Sequence, residues 1–211
     1  MRRSVWLPIG HSRLAAELTI PRAPIGVVLF AHGSGSGRAS PRNRLVAQAL
    51  QRRGIATFLF DLLTTRERRR RANLFDIPLL ANRVARASDW LARQPQLAVL
   101  PLGYYGASTG AAAALAVAAR RTRSVAAIVS RGGRPDLVEG RLSKVRAPTL
   151  LIVGGADPVV VALNRRALVR LRGVKKIAVV PRASHLFAEP GALRRVTELA
   201  VTWFSHYLKT R

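Results

Sequence analysis

Three polar residues in the second half of this chain have types and spacing suited to nucleophilic catalysis. Ser108 lies within the sequence GASTG, which has the pattern G-x-S-x-G. Asp157 and His185 each come shortly after an apolar segment further along the chain. A serine hydroxyl is a weak nucleophile until a histidine accepts its proton and a carboxylate orients that histidine. We therefore predict that Ser108, Asp157 and His185 form a catalytic triad.

A glycine-rich stretch, HGSGSG at residues 32–37, follows the first apolar segment and is suited to complete such a site. The oxyanion that forms when serine attacks a carbonyl group needs N–H donors. We expect the backbone N–H groups of Thr109 and Ser34 to supply them. Weaker candidates for substrate contact are His32, Gly33 and Arg131. The stretch lacks the G-x-G-x-x-G and G-K-[ST] patterns, so a nucleotide-phosphate loop is not favoured.

These residues must be positioned by the elements around them, and short apolar runs alternate with longer amphipathic stretches. Six runs, rich in Val, Ile and Leu, are typical of parallel strands covered on both faces, and they span 26–31, 55–60, 98–105, 125–130, 149–153 and 174–180. Helices are predicted at 41–53, 76–93, 109–121, 159–172 and 190–208. The alternation predicts an α/β fold with a doubly wound, mostly parallel sheet, which places the site residues at one edge.

The chain is expected to form one domain over residues 1–211, because no linker interrupts the pattern. The alternating segment 14–20 suggests an antiparallel hairpin at the sheet edge. Residues 61–77 offer material for a short lid or flap only. Residues 66–71 contain a block of arginines within that segment.

The charge is strongly positive, with 36 Lys and Arg against 10 Asp and Glu and a net charge of +26. Because the basic residues are scattered, we expect at most non-specific association with nucleic acid at low salt. No apolar run is long enough for membrane insertion, and no secretory signal is evident, so a cytoplasmic location is expected. Cysteine is absent, which excludes disulfides and thiolate metal sites, and neither a metal nor an organic cofactor is implied.

Four motifs together resemble the α/β-hydrolase superfamily: His32-Gly33, GASTG, GGAD at 154–157 and Ser184-His185. The resemblance covers residue 25 to the C-terminus, and it implies the chain order serine, acid, histidine. The small size is similar to that of the dienelactone-hydrolase-like group and its serine esterase relatives. Dienelactone hydrolases use a cysteine nucleophile, which this chain lacks, so the resemblance favours a serine esterase.

Three classes of function follow from the sequence. The first is a hydrolase that cleaves a small carboxylic ester or thioester, including an anionic one, through an acyl-serine intermediate. The second is an acyltransferase or peptidase with the same triad. The third is a basic nucleic-acid-binding or scaffold protein built on a hydrolase fold.

Overall fold

Eight strands supply the framework of the computed structural model, which describes residues 1–121 and 124–209. The strands are β1 (Arg2–Ile9), β2 (Ser12–Thr19), β3 (Gly26–Ala31), β4 (Ile55–Phe60), β5 (Leu102–Ala107), β6 (Ala127–Arg131), β7 (Thr149–Gly154) and β8 (Lys175–Val180). They form one sheet in the order β1-β2-β4-β3-β5-β6-β7-β8. The strands from β4 to β8 in that order pair in parallel, whereas β1 and β2 form an antiparallel hairpin.

The helices are α1 (Pro41–Gln51), α2 (Thr65–Arg68), α3 (Ile77–Ala92), α4 (Thr109–Arg120), α5 (Pro158–Arg170) and α6 (Ala192–Tyr207). Two 3-10 segments, Arg71–Leu74 and Pro135–Lys144, complete the secondary structure. Within the described ranges, no helix combines the length and apolar character needed to cross a membrane.

Each face of the sheet is covered by its own hydrophobic core. Buried side chains of α3, α4 and α5 pack on one face, and those of α1 and α6 pack on the other. Residues 111–119 of α4 are mostly alanines and are all buried. Their small side chains allow this helix to approach the sheet closely. The doubly wound arrangement predicted from the alternating pattern is confirmed, and the antiparallel edge hairpin is present as β1 and β2.

The element boundaries differ from the expected ones in several places. The strand expected at 98–105 is β5, which begins later, because Ala98 and Leu100 instead donate backbone hydrogen bonds within a turn after α3. The expected helices exist but are trimmed by one or two residues at most ends, while α5 begins one residue earlier than expected. Helix α2 and the first 3-10 segment have four residues each, too few for a measurable hydrophobic period, and the ten-residue segment Pro135–Lys144 is interrupted by non-helical backbone at Val138.

Candidate active site

Ser108 occupies a strained turn between the end of β5 and the start of α4. Its backbone has φ +50° and ψ −120°, a region that side-chain-bearing residues rarely adopt. The flanking glycines are required by close packing, since a Cβ at Gly106 would collide with Ala111 and one at Gly110 with the carbonyl of Ala31. The sequence motif thus gives a sharp strand-to-helix turn at the carboxyl edge of the sheet.

Neighbouring backbone holds this turn in place. The Ser108 N–H donates to the carbonyl of Arg131 at 3.2 Å, and the Arg134 N–H donates to the Ser108 carbonyl at 3.3 Å. The Ser108 side chain does not cap α4 and is only partly buried, so its hydroxyl stays available at the rim. The surrounding hydrogen bonds therefore stabilise a conformation that the isolated segment would avoid.

Asp157 and His185 form a hydrogen-bonded pair at the same edge. The Asp157 Oδ2 atom lies 2.9 Å from Nδ1 of His185. The other carboxylate oxygen, Oδ1, accepts the N–H of Val160 at 3.3 Å and so caps α5. The pair leaves Nε2 of His185 as the ring nitrogen that can exchange a proton with another group.

Gly132 connects the histidine to the serine turn. A Cβ at Gly132 would lie 3.3 Å from Cε1 of His185, and the preceding carbonyl of Arg131 holds the Ser108 N–H. In the described part of the chain His185 bonds to Asp157 and makes no hydrogen bond to Ser108. Catalytic hydrogen bonds are often long before substrate binds, and the hydrogen bond expected between Ser108 and His185 stays a prediction.

The glycine-rich loop lies directly against the serine. A Cβ at Gly33 would lie 3.1 Å from the Cβ of Ser108. Among the described residues, the backbone N–H groups of Ser34 and Thr109 have no acceptor. Thr109 is the first residue of α4, where backbone N–H groups lack helical partners and favour negative charge. The two donors expected for an oxyanion are thus free.

The His32 side chain is buried and bonded to backbone groups, whereas it was expected to contact substrate. It is 5% exposed, its Nε2 accepts the N–H of Leu62 at 3.0 Å, and its Nδ1 lies 2.9 Å from the carbonyl of Gly33. This pattern requires a neutral ring with the proton on Nδ1, and burial lowers the pKa of His32 accordingly. Both nitrogens serve the backbone, so the expected substrate contact is corrected: His32 holds the glycine-rich loop to the end of β4.

The Arg131 side chain is more buried than expected for a residue that contacts substrate at the rim. It is only 9% exposed, and its guanidinium carbon lies 5.9 Å from the ring centroid of Phe187. Burial raises the pKa of the neighbouring Tyr105, and the Arg131 charge opposes that rise. No carboxylate in the described ranges pairs with Arg131. The side chain lies close to Phe187, two residues after His185, and a contact between Arg131 and a substrate stays a prediction.

Metal ligands are not assembled at this edge. Within residues 1–121 and 124–209, no three His, Cys, Asp or Glu side chains come close enough to hold a metal ion together. The groups present at this edge are a strained serine, a hydrogen-bonded histidine–aspartate pair and two N–H groups without an acceptor among the described residues.

Known proteins are similar to this chain in sequence and in fold. A sequence-family model described as an alpha/beta hydrolase domain matches residues 24–198. The crystal structure of a dienelactone hydrolase from Anabaena variabilis is 53% identical, with a TM-score of 0.96 over 99% of both chains. An esterase domain from Rhodothermus marinus is 20% identical with a TM-score of 0.80 over 99% of both chains, which is a likeness of fold alone.

A longer relative comes from Mycobacterium tuberculosis strain H37Rv and carries the name of a phosphoribosyl transferase. It is 57% identical over 204 residues, which are 97% of this chain and 46% of the relative. The chain thus spans less than half the length of that curated relative, and the activity in its name is a statement about the longer protein. From the family match and the Anabaena structure, the chain belongs to the α/β-hydrolase family and, within it, to the dienelactone-hydrolase-like group.

Proposed function

We propose that this hydrolase cleaves small carboxylic esters or thioesters through an acyl intermediate on Ser108. The observation that supports this most is the strained backbone of Ser108 at the edge where Asp157 and His185 are hydrogen-bonded. A strained turn is maintained at a cost in stability, and such strain is concentrated at functional sites.

In the acylation step, Ser108 Oγ attacks the ester carbonyl carbon while Nε2 of His185 accepts the hydroxyl proton. The carbonyl oxygen becomes an oxyanion, which the N–H groups of Ser34 and Thr109 stabilise. The intermediate collapses when the bond to the leaving oxygen breaks and His185 returns the proton to that oxygen. Asp157 keeps the ring in the tautomer that this proton transfer requires.

In the deacylation step, a water molecule takes the place of the departed alcohol. His185 accepts a proton from the water as its oxygen attacks the acyl carbon, and the same donors hold the second oxyanion. Collapse breaks the bond to Ser108 Oγ, which regains the proton, and the carboxylic acid leaves. The net reaction is hydrolysis of the ester by one water.

We propose that the substrate is small and that it can carry a negative charge. Residues 61–77 form only α2 and a short 3-10 segment, so little material is present for an apolar tunnel around a long acyl chain. The net charge of +26 attracts anions over long range, including nucleic acid, and that attraction alone is non-specific and weakened by salt.

The names of the two close relatives do not decide the substrate. The family resemblance links dienelactone cleavage to a cysteine nucleophile, and the residue at the turn here is Ser108. Simple oxygen esters and thioesters therefore fit this chain better than dienelactones do.

The test is a series of nitrophenyl esters of increasing acyl length, assayed with the unaltered protein, Ser108→Ala and Ser4→Ala. Ser4 is an exposed serine on β1 and serves as the matched control. We expect turnover highest for acetate or butyrate, lost by several orders of magnitude in Ser108→Ala and unchanged in Ser4→Ala. Absence of turnover on every ester and thioester would contradict the proposal. Transfer of the acyl group to an added alcohol in preference to water would instead indicate the acyltransferase alternative.

A further inference from the structure

A large cleft opens on the same sheet edge, beside the site already described. Its volume is about 930 Å³, which is in the range of sites that hold organic ligands. The cleft is bounded by the hairpin β1–β2, the glycine-rich loop and the segment that contains α2. Its lining is Trp6, Arg13, Leu14, Ala15, Gly35, Ser36, Gly37, Arg38, Ala39, Asp61, Leu63, Thr64, Thr65, Arg66 and Arg68.

The hairpin reaches this edge because β2 runs antiparallel to β4. The beginning of β2 therefore lies beside the end of β4, and the carbonyl of Ala15 accepts the N–H of Asp61 at 3.0 Å. This pairing places Arg13 and the segment after β4 in the lining of the same cleft. The cleft thus depends on the N-terminal hairpin as well as on the hydrolase core.

The glycine-rich loop is a wall shared with the Ser108 site. Its first glycine, Gly33, packs against Ser108. At its other end, a Cβ at Gly37 would lie 2.8 Å from Oδ1 of Asp61. A ligand in the cleft therefore contacts the outer part, residues 35–37, of the loop whose first glycine packs against Ser108.

Positive charge in the cleft exceeds negative charge. Four arginines line it with a single carboxylate, Asp61. That carboxylate already pairs with Arg38 at 3.3 Å and Arg68 at 3.4 Å. Arg13 and Arg66 pair with no carboxylate in the described part of the chain, so their charge is available to a ligand.

The cleft also has an apolar side. The Arg13 guanidinium lies 4.7 Å from the centre of the Trp6 ring, and Trp6 is 57% exposed. Leu14 and Leu63 lie in the same lining. An arginine placed over an aromatic ring keeps N–H groups for oxygen acceptors, and the exposed part of the ring can pack against an apolar group.

We propose that this cleft binds an organic phosphate, with the phosphate group between Arg13 and Arg66 and an apolar or planar body against Trp6. Guanidinium groups donate paired N–H groups to phosphate oxygens, and the two negative charges of a phosphate monoester complement the excess positive charge of the cleft. The hydroxyl groups of Thr64 and Thr65 lie in the same lining and add donors.

Binding of the phosphate in the cleft does not depend on the proposed function. Because the cleft adjoins the Ser108 site, the bound molecule would serve as the alcohol part of an ester substrate, and this role does rest on the nucleophilic function of Ser108. The two are therefore tested separately, by equilibrium binding and by turnover.

Binding is measured by calorimetry with phenyl phosphate, inorganic phosphate and phenol at about 150 mM salt, where diffuse electrostatic attraction is strongly screened. The double variant Arg13→Gln/Arg66→Gln is compared with Arg70→Gln/Arg71→Gln, which removes the same charge from exposed residues outside the cleft lining. We expect one saturable site for phenyl phosphate, weakened about tenfold or more in the cleft variant and less than about twofold in the control. Equal weakening in both variants, or equal binding of phenol, would overturn the proposal.

Trp6→Ala supplies a second test that leaves the arginines in place. It should weaken phenyl phosphate while inorganic phosphate binds as before, and equal weakening of both ligands would contradict the apolar part of the proposal. Ser108→Ala should bind phenyl phosphate normally. For turnover, an acetyl ester of a phosphorylated alcohol should exceed its phosphate-free analogue in kcat/KM, and the cleft variant should remove that preference. Normal binding without any such preference would leave the cleft as an organic-phosphate site and contradict only its role for the substrate.

Discussion

The Asp157 carboxylate and the His185 ring are joined by a hydrogen bond of 2.9 Å between Oδ2 and Nδ1. The same carboxylate caps α5 through Oδ1, so one side chain both starts a helix and orients the histidine. The helix fixes the position of Asp157, and Asp157 in turn fixes the imidazole ring. This double use couples the geometry of the candidate site to a rigid element of the fold.

Replacing Asp157 by Asn separates these two roles. Asparagine is a good N-cap, so the unfolding free energy should change by less than about 1 kcal/mol. An asparagine amide favours the wrong imidazole tautomer, so kcat should fall by roughly 10³ to 10⁴. Urea unfolding and ester turnover measure the two effects.

Asp76→Asn is the matched control for the Asp157 variant, because Asp76 caps α3 by accepting the N–H of Leu79 at 2.9 Å. It should leave both stability and turnover close to their original values. Equal loss of turnover in the two variants would mean that Asp157 acts through helix capping alone.

Ser34 is expected to act through its backbone, so its side chain should be dispensable. Ser34→Ala retains the N–H group and should keep kcat/KM within about threefold, whereas loss of an oxyanion donor costs about 10² to 10³. Gly33→Ala should be far more damaging, because the new Cβ would lie 3.1 Å from the Cβ of Ser108. Steady-state kinetics on a short ester compare the two, and a large loss in Ser34→Ala would show that the hydroxyl itself takes part.

The buried, neutral ring of His32 predicts a pH dependence of stability. Burial lowers the pKa of His32 in the folded protein, so the unfolded chain binds the proton more readily below about pH 6.5. Stability from this group is complete above that pH and decreases as the pH falls from about 6.5 towards the folded-state pKa. Unfolding by urea between pH 7 and pH 5 measures the slope.

His32→Gln removes the titrating ring while keeping an acceptor for the Leu62 N–H. The variant should be less stable at pH 7 but should lose less stability on acidification than the unaltered protein. His206→Gln, at an exposed position in α6, should retain the original slope. If the His32 variant shows the same slope as the His206 control, the ring is not the source of the pH dependence.

Arg131→Met tests the buried arginine beneath Phe187. A buried charge with no carboxylate partner is expensive, so the unfolding free energy should be unchanged or raised by up to about 2 kcal/mol. Because the Arg131 side chain is only 9% exposed, KM for an anionic ester should change no more than KM for a neutral one. A KM increase confined to the anionic ester would restore the substrate contact that the sequence suggested.

The fold was largely predictable because the parallel strands β3 to β7 are apolar and almost entirely buried, and helical segments alternate with them along the chain. The GASTG motif indicated the turn at Ser108, since its glycines meet backbone that a side chain would displace. Because Asp157 and His185 each follow a predicted parallel strand, the sequence predicted that both lie at the same edge of the sheet. Whether Ser108, Asp157 and His185 catalyse a reaction remains a prediction for the experiments described above.

The roles of His32 and Arg131 could not be read from the sequence, because both depend on distant residues. His32 is held by the backbone N–H of Leu62, 30 positions away, and Arg131 is covered by Phe187. Phe187 has a positive φ of +55°, which no local sequence motif predicts. The cleft was likewise hidden, since it exists only when β2 brings Arg13 beside the end of β4.

The most direct test of the central claim is intact-mass spectrometry after treatment with a fluorophosphonate, which phosphonylates activated serines. We predict one adduct per chain, located by peptide mapping on Ser108, and no adduct in Ser108→Ala. Ser34→Ala should label as the unaltered protein does, and His185→Ala should label far more slowly because the hydroxyl loses its base. Labelling that persists in Ser108→Ala, or an adduct on a different serine, would contradict the assignment of Ser108 as the nucleophile.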